Sequence, residues 1–332
     1  MDWVISHRSA LEFWRKASAR AVLTKKLPRV DARPIELPTE PLDAGTLHDE
    51  NYYGLTLPLE ILVGSSNARK VNRNLICHTY KWRDNEENFV RVSPGLAVCS
   101  PELCFVQLAN RLSLIELIEI GYELCGGYRL DKLQNPSRGF RDDFPLTSVA
   151  DLSAFIDRAT RHKGLVGAAR ATQFILDNSK SPRETTLAML LTLPYRLGGY
   201  GFEKPRLNYR IDVSGKFGKK AGKPYFCDLF WPEARVAVEY DSDAYHALPE
   251  RIAEDAIRKN DLTSVGITVY TMTNRQVTNS IQLQKLAKQL SRKLDKRLKL
   301  KKPEFDTRHN ELRQLLLFNN VSNRIQFDQL SI

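Results

Sequence analysis

The stretch VAVEYDSDAYH, residues 236–246, decides how the second half of the chain folds. Val236, Ala237 and Val238 are an apolar run that reads as a buried strand. Glu239, Asp241 and Asp243 then fall on every second position, and His246 closes the run. Side chains two apart in a strand share a face. A strand continuing through Asp241 therefore carries Glu239 and Asp241 side by side at its end. Carboxylates held that close repel, and one of them would ordinarily take up a proton. Such an arrangement calls for a compensating cation.

Upstream, Cys227-Asp228-Leu229-Phe230-Trp231 sets Asp228 inside another apolar strand. Trp231-Pro232-Glu233-Ala234-Arg235 is short enough to be a hairpin connection, so antiparallel pairing brings Asp228 towards Glu239. Glu184 follows Ser181-Pro182-Arg183, a helix start, and can join the two acids. Its third helical position after Ser181 also suits a capping box, and both roles can coexist. Mg²⁺ takes hard oxygen ligands and offsets carboxylate repulsion, with Mn²⁺ as a substitute. Asp228, Glu239 and Asp241 are the candidate metal ligands.

The elements around this core alternate between helix and strand. Strands are expected near 207–213, 225–230, 235–241 and 266–273. Helices are expected from Ser181, over 249–264 and over 278–300. The last carries Lys288, Arg292 and Lys296 with leucines at 283, 286, 290, 294 and 298. The leucines make a docking stripe. The cations are either a solvated face or a surface for phosphates. Asp255 and Arg258 are spaced i,i+3, the spacing of an ordinary helix ion pair.

In the first half, Ser9 and Glu12 have capping-box spacing at the head of a helix reaching about Arg20. Four prolines within 24–46 mark an extended connector. Strand-like runs lie at 55–63, 74–80, 89–92 and 96–100, with His78 read as a packed strand residue. Helices follow from Ser100-Pro101 and over 113–124. Residues 130–150 read as loop, and helices return at 150–163 and 164–177. The domain boundary is placed near 150–165, giving 1–155, a second domain 156–302 and a helical tail 303–332.

The chain has 332 residues, with 42% hydrophobic and 27% charged, the balance of an ordinary globule. Its formal net charge of +11 suits a polyanionic partner or general solubility. The sequence holds no apolar run of spanning length and no basic-then-apolar leader, so a cytoplasmic protein without a membrane partner is expected. Five cysteines without metal-like spacing fit reduced thiols.

The order Ser181/Glu184, Asp228 with Trp231-Pro232, Val238-Glu239-Tyr240-Asp241, His246, Asp255/Arg258 and Gly266-Ile267-Thr268-Val269 resembles the PD-(D/E)XK nuclease superfamily. More narrowly it resembles the very-short-patch-repair-endonuclease-like domains, over roughly 175–275. Residues 57–80 and 95–109 resemble the region preceding such domains in abortive-infection antitoxin-like proteins. The resemblance implies an α/β protein of two domains, the C-terminal one a restriction-endonuclease-like mixed sheet flanked by helices. It implies Mg²⁺-dependent hydrolysis of phosphodiester bonds in DNA, in repair or phage defence. Glu184, Asp228, Glu239, Asp241 and His246 would be catalytic, with Arg258, Lys259, Lys288, Arg292 and Lys296 on nucleic acid. Ser242 stands where the narrower group has Gly, and Asp241 where the superfamily has Lys. Two alternatives therefore stay open. One is a non-catalytic nucleic-acid-binding regulator on a decayed scaffold, and the other an RNA endonuclease.

Overall fold

The computed structural model describes residues 2–17, 37, 39, 54–69, 71, 73–80, 88–131, 135–160, 162–213, 224–241, 249–300 and 303–318. The proline-rich connector at 24–46, apart from 37 and 39, lies outside them. So do His246 and residues 319–332. The chain forms two compact units, Met1–Ile175 and Leu176–Ile332.

The first unit is built on a five-stranded mixed sheet. In chain order its strands are β1 (Trp3–Ile5), β2 (Leu59–Val63), β3 (Leu75–Thr79), β4 (Phe89–Ser93) and β5 (Leu96–Cys99). Their spatial order is β3-β2-β1-β5-β4. One face buries Leu59, Ile61, Val63, Leu75 and Cys77 as an apolar cluster. Strand alternation turns Glu60 and His78 to the opposite face. Helix α1 (His7–Lys16) starts two residues earlier than Ser9. Ser9 does not cap it. The Ser9 hydroxyl is fully buried and accepts from the Glu60 amide at 3.0 Å. Glu12 instead pairs with Lys16.

Helices α2 (Pro101–Leu108) and α3 (Leu114–Leu124) start at serine caps, as their sequences require. Ser113 and Glu116 close a full capping box. The segment expected as loop after 130 contains a small hairpin, β6 (Tyr128–Leu130) with β7 (Phe140–Asp142). Helices α4 (Val149–Arg158) and α5 (Leu165–Thr172) belong to this compact unit, which runs to Ile175. Gly164 shows why α5 stays. With φ +99 and a Cβ position only 2.1 Å from the Val106 carbonyl oxygen, it lets the chain turn directly against the end of α2.

The second unit holds a four-stranded mixed sheet flanked by helices, the layout expected of a restriction-endonuclease-like domain. Its strands are β8 (Arg206–Ile211), β9 (Tyr225–Trp231), β10 (Val236–Asp241) and β11 (Thr268–Thr273), in the order β11-β10-β9-β8. Strands β8, β9 and β10 pair antiparallel, and β10 pairs β11 in parallel. A parallel pair needs a long crossover. Helix α7 (Pro249–Ser264) lies within it and lays Leu262 against the sheet with Cys227, Phe230, Ala237 and Ile267. Helix α6 (Pro182–Thr192) is buried along nearly all its length.

The basic helix expected over 278–300 is α9 (Ser280–Lys293), shorter at its C-terminal end, and a short helix α8 (Asn274–Thr278) precedes it. Asn279 separates them and caps α9 through its side chain. Asp295 at φ +45 ends it. The segment expected as a helical tail begins with α10 (Pro303–Arg313), which packs within this unit. His309 Nδ1 lies 2.7 Å from the Gly198 carbonyl oxygen, and its ring stacks on Phe305. All five cysteines are buried, and none is in a disulfide.

Candidate functional site

The second unit brings Glu184, Asp228 and Glu239 into one electrostatic cluster. Asp228 sits in the middle of β9, where the sheet register passes from Leu207↔Leu229 to Tyr209↔Cys227. Asn208, between those pairs, has φ +47. The pairing of β9 with β10 runs to Val238↔Leu229. Beyond that point the Tyr240 amide donates to Asp228 Oδ2 at 2.8 Å. A side chain thus takes a strand amide, and Asp228 is fixed beside the acidic end of β10.

Glu239 accepts from Arg258 Nη2 at 2.7 Å on Oε1. Arg258, on α7, also donates to the Phe226 carbonyl. Its pairing partner is therefore Glu239 and not Asp255, the partner suggested by spacing. Asp241 ends β10 opposite Thr273 and is half-buried. Lys259 is exposed on α7.

Glu184 reaches the cluster from the first turn of α6. Its amide donates to Ser181 Oγ, and the Ser181 hydroxyl donates to Glu184 Oε1. The second half of the capping box is displaced by one residue, with Glu184 Oε2 accepting from the Lys180 amide at 2.9 Å. The same oxygen accepts from Asn208 Nδ2 at 2.7 Å. Glu184 therefore caps a helix and ties it to β8.

Burial dominates the electrostatics. It pushes the Glu184 carboxyl up to about 7, with the Asp228 charge adding to the rise and the hydrogen bonds opposing it. Burial also pushes Glu239 up to about 7, opposed by Arg258 and reinforced by Asp228 and Asp255. Asp228 is raised by burial, against the Tyr240 amide, Arg258 and Lys180. Lys180 lies 5.3 Å above the Phe226 ring, so it is a cation of this site that spacing did not single out. Arg183, next to Glu184 and acting on Tyr240, has a buried Nη1 without a hydrogen-bond partner.

Lys288 and Arg292 are exposed on α9, opposite the buried Leu283, Leu286, Ala287 and Leu290. Lys296 lies past the end of the helix, and its ammonium donates to the Gly201 carbonyl. It does not continue the cationic face.

The first unit holds a cluster that the sequence reading passed over. Ligand atoms of His7, Glu60 and His78 all lie within 4.8 Å of one another, a set able to chelate a divalent metal ion. Among the described residues this is the group that meets that spacing, whereas the carboxylates of the second unit do not. Pairing of β2 with β3 sets Leu62 beside His78, one step from Glu60 on the same face. Glu60 Oε2 lies 2.7 Å from His78 Nε2 and accepts from Arg111 Nη1 at 2.6 Å. The rings of His7 and His78 lie 3.9 Å apart. His78 is thus a hydrogen-bonded neighbour of a buried acid and not merely a packed strand residue.

Burial, then repulsion from His78, drives His7 down to about 3, leaving it a neutral imidazole at ordinary pH. Burial alone would raise Glu60. The His78 hydrogen bond and the Arg111 charge more than offset it, so Glu60 is lowered. The warning sign in the sequence was Glu60 itself, an acid inside the apolar run Leu59–Val63. The buried Glu123, by contrast, is fully explained by Arg15 at 2.8 Å and the Leu130 amide at 3.0 Å.

Two curated proteins of Mycobacterium tuberculosis, from strains CDC 1551 / Oshkosh and ATCC 25618 / H37Rv, are similar to this chain. Both are described as uncharacterized proteins. Each is 26% identical over 136 residues, covering 40% of this chain and 44% of the relative. The match thus spans less than half the length of these relatives. No protein family profile and no solved structure matches the chain. Among the described residues no helix is long and apolar enough to cross a membrane.

Proposed function

We propose that the second unit is a Mg²⁺-dependent endonuclease domain, hydrolysing phosphodiester bonds in DNA in the setting of repair or phage defence. The reading rests on the gathering of buried Glu184 with half-buried Asp228 and Glu239, at a cost visible in the Glu184 and Glu239 carboxyls pushed to about 7. Structural acids gain little from such repulsion, whereas a divalent cation relieves it. The donors are hard carboxylate oxygens of the kind Mg²⁺ takes, set wider apart than the ligand atoms of the His7, Glu60 and His78 group. Asp228 commits Oδ2 to the Tyr240 amide, and Glu239 accepts from Arg258 on Oε1 and from the Cys227 thiol. Bound there, Mg²⁺ would neutralise charge on the phosphodiester and polarise its oxygen.

The chain's own groups supply the rest. Arg183 Nη1 is a buried donor that a phosphate oxygen would satisfy. Lys180 and Arg258 bring fixed positive charge to Asp228, as a developing anion on phosphate requires. Glu184 holds the helix start and the β8 bend in register with Asp228. Asp241 is a further ligand or base, and the role carried over to His246 is protonation of the leaving group.

One observation favours the second reading, a non-catalytic nucleic-acid-binding regulator. The guanidinium of Arg258 already neutralises Glu239. The deciding assay incubates purified protein with plasmid, single-stranded DNA or RNA, in Mg²⁺, Mn²⁺ or EDTA. We expect DNA cleavage in Mg²⁺ that EDTA abolishes. Asp228→Asn and Glu239→Gln should each cut the rate by about 10²-fold or more, with the circular dichroism spectrum unchanged. Cleavage of RNA alone would reassign the substrate. Binding without cleavage in every arm would establish the regulator.

A further inference from the structure

We infer that His7, Glu60 and His78 form a binding site for a first-row divalent transition-metal ion, Zn²⁺ foremost, in the first unit. Two imidazole nitrogens and one carboxylate are a Zn²⁺-type donor set that leaves a coordination position open. Mg²⁺ prefers oxygen donors alone, so the set is chemically distinct from the carboxylate cluster of the second unit. The geometry is close to complete. All three donor atoms lie within 4.8 Å of one another, and ligands at about 2.0–2.1 Å from Zn²⁺ need only a modest closure.

The supports around the three ligands are in place. Ser6 Oγ lies 3.0 Å from His7 Nδ1, which orients the ring and leaves Nε2 uncommitted. The His7 backbone is held too, its amide donating to Gln107 Oε1 at 2.9 Å. Glu60 is anchored through its amide by the buried Ser9 hydroxyl. A metal-facing carboxylate this deeply enclosed needs an entry path, and the exposed side provides it. The Arg111 side chain is 44% exposed and that of His78 18%, against 2% for Glu60.

Arg111 is then a placeholder. Its Nη1 and His78 Nε2 share one oxygen of Glu60. Arg8 Nε makes an ion pair with the other oxygen at 4.0 Å, beyond hydrogen-bond reach, and is buried without a hydrogen-bond partner. Arg111 is thus the cation in hydrogen-bond contact with Glu60, and it approaches from the exposed side. Zn²⁺ entering the cluster would replace the guanidinium as the countercharge.

This makes opposite predictions for two neighbours of Glu60. Metal-free full-length protein is titrated with Zn²⁺ by calorimetry, in excess Mg²⁺ so that the carboxylate cluster is occupied. Co²⁺ absorption provides a second readout of nitrogen ligation. Wild type should bind one Zn²⁺ at this site. His78→Ala should weaken it by about tenfold or more, and Arg111→Met should tighten it several-fold by removing the competing cation. Asp228→Asn should leave it unchanged, so failure here is distinct from failure of the nuclease reading. Absence of Zn²⁺ binding in wild type would overturn the proposal. So would unchanged binding in His78→Ala, or weakening in Arg111→Met equal to that in His78→Ala.

Discussion

Asp228 raises the proton affinity of both glutamates around it. Asp228→Asn removes that charge while keeping a side-chain oxygen to accept the Tyr240 amide. The carboxyls of Glu184 and Glu239 should then titrate below about 7, a shift towards ordinary values measurable by carbon NMR of the side chains. Unmoved titrations would mean that burial alone sets them and that Asp228 is not close enough to share a cation. The same residue shows what the sequence can reveal. A carboxylate inside an apolar strand has no cap or turn to explain it, and that drew attention to Asp228 and Glu239. Glu60 met the same criterion and was passed over, because nothing nearby in sequence accompanied it. Its partners arrive through sheet pairing and a helix start, which periodicity does not report. Arg258 shows the reverse limit. Its i,i+3 spacing from Asp255 is visible, yet Glu239 on the next strand is the buried charge, and the guanidinium goes there.

Long periodic elements were legible, and short or interrupted ones were not. Strands β9 and β10 and the hairpin between them follow from apolar runs bracketing Trp231-Pro232. The three-residue strands β1, β6 and β7 are too short to show alternation, and tertiary pairing creates them. The basic helix is the instructive failure. Its leucine stripe continues to Leu298, but Asn279 caps its start and the left-handed Asp295 follows its end, local backbone preferences that the stripe conceals. The consequence for nucleic-acid binding is specific. Lys288 and Arg292 lie one turn apart on the exposed face of α9, while Lys296 is spent on a carbonyl beyond it. Replacing Lys288 and Arg292 together with Gln should weaken DNA binding and lower the salt slope by about two phosphate contacts, each about 0.9 log units per decade. Lys296→Gln should leave that slope alone and lower stability instead. A slope unaffected by the double change, measured by fluorescence anisotropy across salt, would make α9 a solvated face only.

At the scale of the whole molecule, the two units respond to pH in opposite senses. In the second unit, Glu184 and Glu239 have folded values near 7 against 4.5 for the ordinary group, and Asp228 is also raised. Between those values the native state holds more protons than the unfolded chain, so stability falls as pH rises from about 4.5 to 7. Among the described residues His309, lowered by burial, opposes this as one group against three. In the first unit the sign reverses. His7 is lowered from 6.5 to about 3, His162 is lowered by burial, and Glu60 is lowered as well. There the unfolded chain binds more protons, and stability is lost as pH falls below 6.5. Calorimetry in EDTA should therefore show two transitions that move apart or cross between pH 5 and pH 7, one rising as the other falls. Asp228→Asn identifies the second-unit transition by flattening its pH dependence. Saturating Mg²⁺ should act on the same transition, and more at pH 8 than at pH 5, because a cation replaces the protons that the cluster otherwise holds. Two transitions moving in the same direction would show that the buried carboxylates do not govern the stability of their unit, and the case for a cation-binding cluster would lose its energetic basis.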